Sequence, residues 1–193
     1  MRATMAETAN LPDEAQGVLR FWFEELEEEQ WWLGDASPEV DATIRERFSE
    51  LHMALCERVP EEWLATPLGT LAAIIVLDQF SRNLFRNEPR AYDADAKALE
   101  LAKWAVEKGF DRQVGPEERI FFCIPFSHSE QPEDQVLSVE LCTVLGNEKT
   151  LHYAKLHKQI IDRFGRFPHR NRILGRQSTR QEEEFLKDPG LFW

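Results

Sequence analysis

Apolar side chains recur along this chain with the spacing of helices rather than strands. Near the start, Val18, Leu19, Trp22 and Phe23 form one apolar stripe, and the acidic run EELEEE follows on the other side. This i, i+1, i+4, i+5 spacing follows the helical period and predicts a helix over about residues 13–29. Alternating β-branched runs bounded by hairpin dipeptides are missing from the sequence. The pattern therefore predicts an all-α protein.

Helix start and stop residues divide the rest of the chain into further helices. Ser37 before Pro38 and Thr66 before Pro67 are typical pairs of an N-cap residue and a first helical residue. Because the connections between elements are short, we expect seven to nine antiparallel helices in a stacked helical-hairpin arrangement. The predicted helices cover about residues 38–58, 67–86, 93–108, 133–145 and 149–164, the last of these ended by Gly165. A further helix begins at Pro116 and is kinked or ended by Pro125 near Ile124, and a final helix is capped by Ser178 or Thr179.

The composition describes one acidic globular domain over residues 1–193. A hydrophobic fraction of 42% with thirteen Phe and six Trp is ample for a buried core, whereas a net charge of −12 opposes binding to nucleic acid or anionic membranes. The three cysteines show no metal or disulfide spacing, and we predict neither a metal nor a cofactor. The N-terminus lacks an apolar signal segment, and no apolar run reaches the roughly 20 residues that span a bilayer. We expect a cytoplasmic protein.

Polar residues continue the apolar surface of the predicted helix over 67–86. Asp78 and Arg82 follow Ile74 on one helical face, and Gln79, Asn83 and Arg86 extend the adjacent face. Polar groups that extend an apolar stripe point inward or into a cleft. Because burial of polar groups is costly unless they are paired, Asp78 and Arg82 are a natural i, i+4 ion pair. The cluster is typical either of an internal hydrogen-bond network or of a binding site.

Two further polar clusters occur downstream. The first follows Pro125 and contains His128 and Glu130. The second is RFGRFPHRNRILGRQSTR, residues 163–180, with six arginines, one histidine and no carboxylate. Guanidinium groups suit carboxylates and phosphates, so this segment indicates anion recognition or bidentate internal pairing. We expect the three clusters to converge on one hollow between helices.

These three stretches closely resemble a known bacterial family, the domain of unknown function 924 family. The motifs are LDQFSRNLFR, PFSHSEQPEDQ and FGRFPHRNRILGRQSTRQEEEFL, and VLRFWF followed by WW matches the opening of the family. The resemblance covers about residues 17–187. It implies an all-α fold of the tetratricopeptide-repeat-like superfamily, and it implies no established activity.

Two kinds of function fit these residues. In the first, the protein binds a small anionic or polar molecule, and His128 or His169, helped by Glu130 or Asp78, transfers protons as in acid–base catalysis. In the second, it is a helical interaction module that holds an acidic peptide in a groove. A closed pocket favours the first and an open groove the second. The predicted ligand-binding residues are Gln79, Arg82, Asn83, Arg86, Arg166, Arg170, Asn171 and Arg176.

Overall fold

The computed structural model describes residues 11–32 and 37–187, and within these ranges the protein is all-α, as predicted. No strand occurs in either range, and nine helices are present if the three consecutive segments of α4 are taken as one. The first ten residues, where the sequence lacks an apolar signal segment, lie outside the described ranges. The helices are α1 (Asp13–Arg20), α2 (Pro38–Glu57), α3 (Glu61–Leu64), α4 (Pro67–Ile75, π-helical Val76–Phe80 and Ser81–Leu84), α5 (Asp95–Glu107), α6 (Pro116–His128), α7 (Pro132–Leu145), α8 (Glu148–Phe164) and α9 (Arg180–Phe185).

An aromatic core holds the N-terminal helices together. Trp22 packs edge-to-face on Phe121 of α6 at 5.5 Å between ring centroids, and the centroid of Phe80 of α4 lies 5.7 Å from that of Trp22. All three rings are buried. Edge-to-face contacts of this kind add to the hydrophobic stabilisation of the burial itself. The core therefore fixes α1, α4 and α6 against one another.

Helix α1 ends earlier than the predicted residue 29. After Arg20 the chain makes one π-helical turn, and Leu26 is already extended. A 3₁₀ turn over Glu28–Trp31 then brings Trp31 into the core, where its indole N–H donates to the backbone oxygen of Trp22 at 2.7 Å. This bond satisfies a carbonyl at the helix end and buries a large ring, so tertiary packing decides where the helix stops.

Helix α6 continues through Pro125, so of the two predicted outcomes, a kink or an end near Ile124, the end is wrong. It runs to His128, and Ser129 is the first extended residue. Proline removes one backbone donor from the helix. Here the residues around it are buried against neighbouring helices, and this packing outweighs the local cost. As a result, His128 lies in the last turn of α6, where this helix end contacts α4 and α8.

The predicted helix caps are confirmed. The side chains of Ser37, Thr66 and Thr179 each accept a hydrogen bond from a backbone N–H in the first turn of α2, α4 and α9. Gly165 ends α8 with a φ of 67°, a left-handed conformation that glycine adopts without a steric penalty. Helices α5 to α8 pack mainly on their neighbours in the chain. Whether this packing is a tetratricopeptide-repeat-like arrangement stays a prediction.

No helix in the described ranges is both long enough and apolar enough to cross a bilayer.

Candidate functional site

A π-helical turn in the middle of α4 carries the first polar cluster. Val76–Phe80 forms this turn, and Asp78 and Gln79 within it are 1% and 3% exposed. A π turn rotates the residues that follow it relative to an ideal α-helix, and such turns are frequent at functional sites. The polar side chains therefore point into the protein, as the sequence pattern predicts.

Asp78 is surrounded by hydrogen-bond donors. Its Oδ1 lies 2.8 Å from Nδ1 of His128 and 3.2 Å from an Nη of Arg82, and the amide of Gln79 donates to Oδ2. Burial raises the pKa of a carboxyl group, but here the charge of Arg82 and the hydrogen bonds of His128 and Gln79 outweigh it and lower the pKa of Asp78 to about 2. Asp78 is consequently an ionised carboxylate that orients the His128 ring.

Asp95 at the start of α5 links two arginines. Arg82 Nη1 approaches Asp95 Oδ1 at 2.9 Å, and Arg82 Nη2 donates to Asp95 Oδ2 at 3.0 Å. Arg170, from the 3₁₀ turn Pro168–Arg170 after α8, lies 3.6 Å from the same Oδ2. Residues 78, 95 and 170 are far apart in the chain, and the packing of α4, α5 and this turn brings them together.

Arg170 is the least satisfied charge in this region. Its guanidinium carbon lies 4.7 Å from the ring centroid of Tyr92 and 4.5 Å from that of Phe167, and the residue is 7% exposed. Its side chain donates no hydrogen bond to any residue in ranges 11–32 and 37–187, and its buried Nε has no partner there. Burial, followed by the charge of Arg82, lowers the pKa of Arg170.

His157 and His169 lie near Arg170, and His128 lies next to His157; we call these three residues the histidine cluster. The ring centroids of His128 and His157 are 6.4 Å apart, and Phe167 contacts both His157, at 5.3 Å, and His169, at 5.5 Å. All three side chains are half-buried. Burial is the main cause that lowers their pKa values, to about 3 for His157 and about 4 for His169, and neighbouring arginines act in the same direction.

The hydrogen bonds of two of these rings define their tautomers. His128 Nδ1 faces the Asp78 carboxylate, and His157 Nδ1 lies 3.1 Å from the backbone oxygen of Ser127. Both partners are acceptors, so each neutral ring carries its proton on Nδ1 and keeps a lone pair on Nε2. No residue in the described part of the chain bonds to either Nε2 atom. Each ring can therefore accept a proton on that side.

Glu130 belongs to an adjacent network that holds the arginine-rich segment in place. Its carboxylate accepts from both terminal nitrogens of Arg176, at 2.7 and 3.0 Å, and from the backbone N–H of Phe167 at 2.8 Å. Arg176 also donates to Oδ1 of Asn171 and to the backbone oxygen of Phe167. This network joins the end of α6 to the turn that carries His169 and Arg170.

Three predicted ligand-binding residues lie outside both the histidine cluster and the Glu130 network. The side chains of Asn83 and Arg86 donate to Asp41 of α2 at 2.7 to 2.8 Å. Arg166 makes a bidentate pair with Glu182 of α9, at 2.6 and 2.8 Å. The three clusters thus meet only in part. The structure brings together Asp78, Gln79, Arg82, His128, His169 and Arg170, with Glu130, Asn171 and Arg176 adjacent to them.

Sequence reasoning missed four members of the site: Tyr92, Asp95, His157 and Phe167. For His157 a signal existed, because it lies three residues after Ala154 and four before Ile161 on the buried side of α8. For Asp95 the sequence shows only an ordinary acidic residue in the first turn of a helix. In the described ranges no three His, Cys, Asp or Glu side chains are grouped as metal ligands.

This fold and this site define a class of all-α protein in which several helices converge on a buried cluster of arginine, histidine and aspartate. The chain belongs to the bacterial family of unknown function DUF924, whose model matches residues 18–190. It is similar to a solved structure of a protein of unknown function, ATU0120 from Agrobacterium tumefaciens. The two share 36% identity with a TM-score of 0.85, over 90% of this chain and 97% of the other. No curated protein matches the chain.

Proposed function

We propose that the protein binds a small anionic molecule at Arg170, beside the histidine cluster, and that the Asp78–His128 pair exchanges a proton with it. The observation that carries the proposal is that the guanidinium of Arg170 is buried and donates no hydrogen bond to any described residue. A guanidinium that is 93% buried normally has its donors satisfied by acceptors, because an unpaired buried charge is costly. The carboxylate that forms an ion pair with it, Asp95, is shared with Arg82 and lies at 3.6 Å. A bound anion supplies the missing acceptor.

The Asp78–His128 pair has the geometry of a general base and its orienting group. A buried carboxylate on Nδ1 fixes the tautomer and leaves Nε2 as the base, as in catalytic His–Asp pairs. The pKa of Asp78 is about 2, so the proton between the two groups belongs to the imidazole. The pair is therefore ready to accept a proton from a ligand or return one to it.

Burial favours a small ligand over a peptide. The side chains of Arg82 and Arg170 are each 8% exposed, and those of His128 and Asp95 are 16% and 21% exposed. A peptide groove presents its recognition groups along an open surface. Here the polar side chains are largely buried, which fits a small molecule better than a peptide.

The test compares Arg170→Lys with Arg172→Lys. Lysine keeps the charge at position 170 but loses the planar fork, and Arg172 is an exposed arginine two residues away that serves as the matched control. Sodium acetate and inorganic phosphate are titrated into the wild type and both variants, and binding is measured by thermal shift and by chemical-shift changes in NMR spectra. We expect saturable binding to the wild type and to R172K, and about tenfold weaker binding to R170K. Equal binding by all three proteins, or no binding of either anion, would contradict the proposal.

A further inference from the structure

Building on the proposed anion site, we propose that its ligand is a small carboxylic acid, bound as its carboxylate together with one proton that a ring of the histidine cluster takes up.

The site offers an anion few donors beyond Arg170. The Nδ1–H groups of His128 and His157 are already engaged by Asp78 and by the backbone of Ser127, so both rings present only Nε2 lone pairs. An ionised carboxylate also has only acceptors. For either ring to hydrogen-bond to the anion, its Nε2 must first gain a proton. Anion binding and protonation are therefore linked by geometry.

The charges around the histidine cluster balance before a ligand arrives. Arg82 and Arg170 are offset by Asp78 and Asp95, and Arg176 is offset by Glu130. One added carboxylate leaves one uncompensated negative charge, and one protonated imidazole restores the balance. A phosphate dianion requires two such protons, so the balance favours a singly charged anion such as a carboxylate. The charged groups that act on the three rings are Asp78 and Arg82 from α4, Asp95 at the start of α5, Glu130 after α6, and Arg170 and Arg176 from the segment after α8.

The surroundings of Arg170 suit a planar ligand. Tyr92 and Phe167 both lie within 5 Å of the guanidinium carbon, and the N–H donors of a guanidinium lie along the edge of its plane. Along this edge, pairs of N–H groups match the two oxygens of a coplanar carboxylate. The same two rings supply an apolar lining for a short hydrocarbon part of the ligand.

The low proton affinity of the histidine cluster is consistent with this coupling. The charge of Arg170 contributes to the lowered pKa values of His157 and His169. An anion on Arg170 screens this charge and adds a favourable one, so protonation becomes easier when the ligand is present. By linkage, the carboxylate binds more tightly as the pH falls.

The experiment follows all five histidines of the wild-type protein by NMR as the pH is changed, with sodium acetate, inorganic phosphate or sodium chloride at equal ionic strength. We expect acetate to raise the proton affinity of at least one ring of the histidine cluster about tenfold, with little change at His52 and His152, which serve as internal controls. Substitutions His128→Gln, His157→Gln and His169→Gln assign the responding ring. If a variant does not fold, proton uptake measured in unbuffered wild-type protein decides, with a fraction of a proton expected per bound acetate, greatest near the pKa of the responding ring.

The outcomes separate this inference from the proposed function. Acetate that binds in an Arg170-dependent manner without proton uptake overturns the coupling and leaves the anion site intact. Tighter binding of phosphate than of acetate overturns the carboxylate assignment. No response to either anion at any ring of the cluster contradicts the anion site itself, and the inference fails with it.

Discussion

Acidification of the ligand-free protein from pH 7 to about pH 5 is expected to destabilise the fold through two buried imidazoles. The folded protein holds the pKa of His157 at about 3 and that of His169 at about 4. In the unfolded chain both rings return to the ordinary value of about 6.5. Below that value the unfolded state binds protons that the folded state does not bind, so the free energy of unfolding falls as the pH is lowered.

The size of the effect follows from the width of this window. Each ring reduces the free energy of unfolding by about 1.4 kcal/mol per pH unit between its unfolded and folded pKa values. From pH 6.5 to about pH 5 the loss is about 2 kcal/mol per ring, or about 4 kcal/mol for His157 and His169 together. Asp78 and Glu182, whose pKa values are lowered to about 2, contribute mainly below this range, because unfolded carboxyls titrate near pH 4.

The assay is urea unfolding at several pH values in buffers free of acetate and phosphate. His157→Gln removes one of the two rings, and we expect it to lower the pH-dependent loss by about 2 kcal/mol. His152→Gln is the matched control, because His152 is exposed on the same helix, and it is expected to retain the full loss. If the wild type keeps the same free energy of unfolding from pH 7 to 5, or if both variants behave alike, the explanation through buried neutral imidazoles is wrong.

Two further predictions concern the segment that carries Arg170. Arg176→Ala removes the partner of Glu130 and should lower the free energy of unfolding, measured in urea, by about 2–3 kcal/mol. The control Arg180→Ala changes an exposed arginine and should alter this free energy by no more than about 0.5 kcal/mol. Equal losses would show that the network does not hold the segment. Gly165→Ala places a side chain on a residue in the left-handed conformation and should lower the free energy of unfolding by about 1–2 kcal/mol. Gly17→Ala lies inside α1 with open space around it and should raise the free energy of unfolding by about 0.5–1 kcal/mol. A gain in stability at both positions, in thermal or urea unfolding, would refute the conformational explanation.

Parts of the candidate site could be read from the sequence because they depend on one helix. Asp78 and Arg82 follow apolar residues on a single face, and that register alone indicates burial and an i, i+4 ion pair, which the structure shows at 3.2 Å. The sequence does not distinguish the roles of the arginines in residues 163–180. Arg170 lies in the core, Arg176 pairs with Glu130, and Arg166 pairs with Glu182, yet the three are alike in the sequence.

The sequence by itself determined the all-α class and most helix ends, because caps such as Ser37 and Thr179 and the stop at Gly165 act within one turn of the backbone. Only the tertiary structure decided that α6 runs through Pro125 and that His157 and Asp95 join the site. These outcomes depend on which distant segments pack together. Burial by a neighbouring helix can outweigh a local preference, and a contact between residues far apart in the chain leaves no periodic trace in the sequence.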